Sequence, residues 1–278
     1  MATDTIPYFL IGSGRSGTRT IFKLLGGVPG LEIHHEFACT HVQRAAALHY
    51  MQLISREEVL DELRRLHGSA VFYSEEKLWM DCSNKLSWIV EPLLELFPNA
   101  RFIHLVRDGR KVANSYFHKL ADEMYDDASV AIMQRWLADR KVLPMPPPEK
   151  KYWWNIPQPG QPFHEEFPRF GQFERACYQW AESNRVILES LEKIPKEQKL
   201  FVRLEELVSQ QRILADFLNF CGIEYEDHFF EFLQTPQNVI IPMDFKLTDE
   251  QRRQFQGIAA PMMERLGYGE SDEYEVRY

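Results

Sequence analysis

Between residues 8 and 25 an apolar strand runs into a turn of glycines and hydroxyls and then into a helix. Tyr8-Phe9-Leu10-Ile11 is a short continuous apolar run, as expected of a strand buried on both faces of a parallel sheet. The turn reads Gly12-Ser13-Gly14-Arg15-Ser16-Gly17-Thr18-Arg19-Thr20, and the helix after it stops at Gly26-Gly27. Such a turn exposes consecutive backbone N–H groups, and the helix N-terminus adds partial positive charge, so the segment is built to hold an anion. Its arginines and threonines make phosphate the expected anion. A nucleoside-triphosphatase loop reads G-x-x-x-x-G-K-[ST], with lysine and a magnesium-binding hydroxyl directly after the second glycine. Here Gly12 and Gly17 keep the glycine spacing, but Thr18 and Arg19 occupy those two places and the cation, Arg15, lies inside the loop. The turn is therefore expected to bind phosphate without the ATP and magnesium apparatus.

The rest of the chain alternates strands and helices. Leu78-Trp79-Met80-Asp81, residues 101–106 and Leu200-Phe201-Val202 read as further strands. Helical spacing places Val59, Leu60, Leu63 and Leu66 on one face, and Ile89, Leu93, Leu94 and Leu96-Phe97 form a helix ended by Pro98. A helix follows Arg107-Asp108-Gly109-Arg110 through about Asp122, Ile213 to Phe220 form another closed by Gly222, and a last one runs from Thr248 or Asp249 to Leu266 with Gly267 as stop. The pattern predicts an α/β fold in one domain over residues 1–278, a P-loop-like parallel sheet flanked by helices on both faces, with ligands at the carboxyl ends of strands. One stretch breaks the rhythm. Residues 142–171 hold eight of the sixteen prolines together with Trp153, Trp154, Phe163, Phe167 and Phe170. Proline at that density forbids regular helix and sheet, while the aromatics argue against plain disorder, so an ordered cap beside the active site is expected.

A net charge of −9 argues against broad binding to nucleic acid or an anionic membrane, and leaves room for a local basic pocket. Cys39, Cys82, Cys177 and Cys221 show no C-x-x-C pair and no metal spacing, so four reduced thiols and no metal are expected. No apolar run approaches the ~20 residues that span a membrane, and the first strand leaves no room for a leader, which suggests a soluble, cytoplasmic protein.

A second anion site is expected where the strand ending at Val106 leaves the sheet. Arg107 can grip a phosphate bidentately, and Ser115, about two turns along the next helix, can meet the same anion from the side. Two anion sites on neighbouring strands suit a nucleotide carrying phosphate at both ends.

These two segments, Gly14 to Thr20 and Arg101 to Arg110 through Ser115, resemble the cofactor motifs of sulfotransferases that use 3′-phosphoadenosine 5′-phosphosulfate. The resemblance implies that Gly14, Arg15, Ser16, Gly17, Thr18, Arg19 and Thr20 hold the 5′-phosphosulfate and that Arg107 and Ser115 hold the 3′-phosphate. It also implies a lysine role for Lys85 in Ser83-Asn84-Lys85, and it extends to Phe201-Val202-Arg203-Leu204-Glu205-Glu206-Leu207 and to Met262 through Tyr268. Arginine at position 15 is similar to bacterial and tyrosylprotein members rather than to those with lysine. Gly109 stands where members often carry proline, and the C-terminal R-K-G triplet of the cytosolic enzymes is absent from the sequence; Lys246 is the substitute expected to approach the nucleotide.

Sulfuryl transfer needs charge stabilisation on the departing phosphate and a base for the attacking hydroxyl. Arg15, Lys85 and the loop N–H groups are expected to supply the first. Arginine does so electrostatically, since it keeps its proton. The base is expected within Ile33-His34-His35-Glu36-Phe37, read as the segment that follows the second strand of the sheet. Glu36 is preferred because it stands 21 residues past Arg15, where the bacterial and tyrosylprotein members carry a catalytic glutamate; His34 or His35 is the alternative. The acceptor is read as a carbohydrate hydroxyl first, through stacking on Trp153 and Trp154, then as a small alcohol or phenol, then as a peptide tyrosine. Asp122, Glu123, Asp126 and Asp127 either line the mouth, disfavouring a polyanionic acceptor, or form a solvated helix end. A P-loop kinase and a non-catalytic nucleotide-binding protein are the rival readings, and the oligomeric state is left open.

Overall fold

The computed structural model describes residues 5–235 and 246–269. Five strands, β1 (Ile6–Ile11), β2 (Leu31–His35), β3 (Leu78–Cys82), β4 (Arg101–Val106) and β5 (Lys199–Arg203), form one parallel sheet in the order β2-β3-β1-β4-β5. Period-two alternation divides β1 between two cores. Phe9 and Ile11 face one side with Trp79, Phe102 and Val106, while Tyr8 and Leu10 face the other with Met80, Ile103 and Leu105. Helices Cys39–Tyr50, Val90–Leu96, Gln172–Glu192 and Asp249–Arg265 pack on the first face; Thr18–Leu25 and Gln211–Phe220 pack on the second. The expected doubly covered parallel sheet is what the chain forms. All four cysteines are unbridged thiols. Among the described residues, no helix is long and apolar enough to cross a membrane.

The chain leaves β1 toward β2 on one side and later enters β4 on the other side of β1. That reversal opens a crevice at the carboxyl ends of β1 and β4, the place where open α/β sheets bind ligands. Both expected anion segments lie there. Two boundaries differ from the sequence reading. Residues 31–35 are a strand, so His34 and His35 lie within β2 rather than after it, and the helix following Arg107 ends at Lys119 rather than near Asp122. Leu66 falls in a π-helical turn, Arg64–Gly68, that continues the helix Arg56–Leu63.

Residues 142–171 form only two 3₁₀ turns, Lys150–Tyr152 and Phe167–Arg169, in keeping with their proline content. Gln43 pins the segment by donating to the Lys150 and Trp153 carbonyls (3.1 and 2.9 Å), Tyr125 donates to the Asn155 carbonyl (2.6 Å), and Trp154 Nε1 donates to the Glu123 carbonyl (2.7 Å). Trp153 and Trp154 are 1% and 5% exposed, so their rings are core rather than free stacking faces. Asp126 caps the helix Asp127–Ala138 through the Ser129 N–H, and Asp127 pairs with Arg175 at 2.6 Å, so these acids form a helix end.

Gly109 begins the helix Gly109–Lys119 with the buried ring of Trp180 against its α-carbon; an added Cβ would lie 2.6 Å from that ring. Trp180 also donates to the Arg107 carbonyl at 3.1 Å, so this contact sets where Arg107 leaves the sheet. Proline or alanine at position 109 would collide with it. Alanine has the better helix propensity, yet overpacking a buried site costs ~1–3 kcal/mol and should win. Gly109→Ala is expected to lower the unfolding free energy by that amount, read as a lower denaturant midpoint at unchanged slope.

Candidate functional site

The loop after β1 adopts backbone that few side chains tolerate. Gly14 has φ 80°, Arg15 φ 54° and Gly17 φ 106°. A side chain at Gly14 would strike the Tyr116 hydroxyl and the Asn84 amide, and one at Gly17 would press on Leu204. Ser87 fixes the loop's root, accepting from the Gly12 N–H (3.1 Å) and donating to the Gly12 carbonyl (2.8 Å), while Tyr116 donates to the Ser13 carbonyl at 2.9 Å. Gly17 ends the loop as the N-cap of Thr18–Leu25 with no side chain over the first N–H groups. The Ser16 hydroxyl is fully buried without a hydrogen-bond partner.

Beyond β4, Asp108 caps the next helix through the Arg110 N–H (2.9 Å) and binds the Arg110 guanidinium (2.7 Å), which turns Arg110 aside. Arg107 instead reaches back and donates to the Arg15 carbonyl at 3.1 Å. Arg15 Nε in turn donates to Ser115 Oγ at 3.0 Å. The two segments read from sequence as separate anion sites therefore share one arginine, whose side chain is directed to the Ser115 end.

The third component is a buried ion cluster. Lys85 is 3% exposed; its Nζ lies 4.8 Å from the centre of the Trp154 ring and 3.9 Å from Glu36 Oε1. Burial pulls the Lys85 ammonium down to about 8, against the opposing effect of Glu36. Lys150, from the proline-rich segment, reaches Glu36 Oε2 at 3.5 Å. Burial by itself would raise the Glu36 carboxyl, but the two lysines, with His35, outweigh it and hold Glu36 below the ordinary carboxylate range. His35 lines the same cleft, and burial holds its imidazole below the usual histidine value. His34 points elsewhere: it bonds Glu32 at 2.8 Å and packs on Trp79 and Phe37.

Together these groups line a cleft of about 530 Å³. Of the residues singled out from the sequence, Gly14, Arg15, Gly17, Thr18, Arg19, Thr20, His35, Glu36, Lys85, Arg107 and Ser115 border it. Ser16 and Lys246 are not among its lining residues; the Ser16 side chain is buried beneath the loop and Lys246 is exposed. Trp154, which the sequence placed in a cap beside the site, borders the cleft too; Asn84, Tyr116, Lys119 and Lys150 also line it and were not singled out for it, since nothing in their local sequence separates them from surface or core residues. Six cationic side chains face one carboxylate there, in a chain of net charge −9. The glycine cradle and this cation set fit a ligand with phosphates at both ends. Among the described residues, no three His, Cys, Asp or Glu side chains converge to hold a metal.

Residues 7–143 match the model of the sulfotransferase family. No curated protein matches the sequence. Among solved structures, a sulfotransferase from Alicyclobacillus acidocaldarius superposes with a TM-score of 0.51 at 13% identity, covering 93% of each chain. One from Mycobacterium avium gives 0.51 at 13% identity over 99% of this chain and 79% of its own. At these identities the likeness speaks to the fold.

Lys85 supplies a pH test. An approaching phosphate favours the charged lysine, so a bound anion raises the Lys85 value above that of the free site, and binding takes up a proton between the two. Affinity for adenosine 3′,5′-bisphosphate should be flat from about pH 7, above the second ionisation of its phosphates, to about pH 8, the free-site value, and fall above it. Calorimetric titrations at several pH values check this; Lys85→Gln should bind more weakly and lose that inflection.

Proposed function

The chain belongs to the sulfotransferase family, and from that premise we propose that it transfers the sulfuryl group of 3′-phosphoadenosine 5′-phosphosulfate to an acceptor hydroxyl, with Glu36 as general base. The observation that carries this reading is the meeting of the Glu36–Lys85–Lys150 cluster with the glycine loop in the cleft that Arg107 and Ser115 border.

When bound, the donor supplies a sulfuryl group carried on a phosphate leaving group. The N–H groups of the loop from Gly14 to Thr20 and the Lys85 ammonium hold the 5′ end, and Lys85 offsets charge that gathers on the departing phosphate; one such donor contributes ~10²–10³ in rate. Arg107 and Ser115 hold the 3′-phosphate. Arg15, between them, acts on both ends through a charge it never loses. Glu36 faces the acceptor side with its carboxylate ionised and takes the hydroxyl proton. Anion binding draws Lys85 toward phosphate and so returns basicity to Glu36 when the proton must be moved. His35, held neutral by burial, stands beside Glu36 as the alternative base.

Trp154 and Lys150 bring the proline-rich segment to the acceptor side as a fixed wall. The wall supports a cap role for residues 142–171. It does not support sugar stacking, because the rings of Trp153 and Trp154 are buried and Trp154 carries the Lys85 ammonium. A carbohydrate, a small alcohol or phenol, and a peptide tyrosine then stand as equal candidate acceptors.

A kinase would bind ATP with magnesium, whereas this cleft is expected to bind adenosine 3′,5′-bisphosphate equally well in EDTA, measured by calorimetry. Transfer of labelled sulfate from the donor to 4-nitrophenol, an aliphatic alcohol, a methyl glycoside and a tyrosine peptide gives the acceptor. On the best of these, Glu36→Gln should lose ~10²–10⁴ in kcat while keeping bisphosphate affinity. Retained turnover would remove Glu36 from the mechanism, and binding without transfer to any acceptor would favour a non-catalytic protein.

A further inference from the structure

Glu36 sits on backbone that a glutamate seldom adopts. Its φ is 55° and that of Ala38 is 48°, so two non-glycine residues around Phe37 occupy the left-handed region within three positions. Such residues persist where the surroundings over-determine them, and they gather at functional sites. The surroundings here are specific. Glu36 N–H donates to the Cys82 carbonyl at 3.3 Å, and Phe37 N–H donates to Asp81 Oδ1 at 3.2 Å. The second oxygen of Asp81 meets His67 Nε2 at 3.2 Å, and Asp81 and His67 are both wholly buried.

His67 Nδ1 is buried without a partner. The tautomer with hydrogen on Nε2 therefore fits the site, because it donates to Asp81 and leaves only a lone pair unpaired at Nδ1. His67 lies in the π-helical turn Arg64–Gly68, a distortion that shifts a side chain relative to a regular helix and that recurs at functional sites. The Phe37 ring completes the clamp, standing edge-on to His67 and Trp79 at 5.3 and 5.6 Å between centres. A buried carboxylate at the end of β3 is costly unless its oxygens are bonded, and both oxygens here are spent on the segment carrying Glu36 or on its support.

We propose that Asp81 and His67 are positioning residues for sulfuryl transfer: by bonding the Phe37 N–H, and each other, they hold Glu36 in the left-handed conformation that directs its carboxylate at Lys85 and Lys150. This rests on Glu36 being the base, and neither Asp81 nor His67 borders the cleft. Removing the clamp lets Glu36 relax toward ordinary backbone, away from the lysines, without touching the nucleotide loop.

The test compares Asp81→Ala, Asp81→Asn, His67→Phe and Glu36→Gln in the full chain, using the best acceptor of the panel above. Asp81→Ala and His67→Phe should lower kcat by ~10²-fold, the scale of a misplaced catalytic group, with acceptor KM and bisphosphate affinity unchanged. Asp81→Asn, which keeps an acceptor for the Phe37 N–H, should recover most of that loss. Asp81→Ala should add little in the Glu36→Gln background. Crystal structures of His67→Phe and Asp81→Ala with adenosine 3′,5′-bisphosphate should show Glu36 out of the left-handed region. His67→Phe retains the aromatic packing, so it and Asp81→Asn carry the test if Asp81→Ala does not fold. Wild-type kcat in folded Asp81→Ala or His67→Phe, an unmoved Glu36, or equal losses of bisphosphate affinity and kcat would overturn the proposal. Full turnover by Glu36→Gln would overturn the base assignment instead, and the crystal structures would still report whether the clamp sets the Glu36 backbone.

Discussion

An ammonium taken wholly out of water is costly unless charge and polarisable surface meet it inside the protein, and the Lys85 ammonium meets both. Glu36 stands 3.9 Å away, and the Trp154 ring lies under the nitrogen. Those partners come from different places: Glu36 follows β2, Lys85 follows β3, and Trp154 belongs to the proline-rich segment. Satisfying one buried charge thus draws a sheet edge, an interior strand and an irregular wall onto the mouth of the glycine loop. Glu36 is stabilised as an anion by the same contact, so the cluster holds in register the two groups proposed as base and phosphate-binding cation.

The wider electrostatics follow the same economy of placement. The chain carries a net charge of −9, yet six cationic side chains border the cleft with a single carboxylate. An acidic surface around a basic recess repels extended polyanions and focuses positive potential on a small anionic ligand able to enter it. Arg15 lies at the middle of this field. Its guanidinium on Ser115 and its carbonyl under Arg107 tie the loop after β1 to the segment that leaves β4 and the helix after it.

Much of this was legible in the sequence because it is local. The apolar run at residues 8–11, the glycine turn and the strand into Arg107 each encode their structure within a few residues, and the parallel sheet follows from their alternation. Other parts depend on distant partners. The helix Gln172–Glu192 buries Arg175, Gln179, Glu182 and Asn184 beside Tyr178 and Trp180, so it lacks the clean apolar stripe that marks a helix. Lys150 and Trp154 lie in a proline-rich stretch with no periodicity, and only tertiary packing assigns one to Glu36 and the other to Lys85. His34 and His35 are adjacent in sequence, but strand alternation sends them to opposite faces, which separates the candidate from its neighbour. Arg15 was read as a cation for the sulfuryl end alone, because a contact with a serine one hundred residues away leaves no local trace.

In the proposed reaction one cleft grips both ends of a bisphosphate nucleotide without metal. A crystal structure with adenosine 3′,5′-bisphosphate, whose 5′-phosphate stands for the leaving group, tests it directly. The 5′-phosphate is expected on the N–H groups between Gly14 and Thr20 and on Lys85, and the 3′-phosphate on Arg107 and Ser115, with no ion between them. A nucleotide bound away from Arg107 and Ser115, or a loop that accepts only ATP with magnesium, would contradict it.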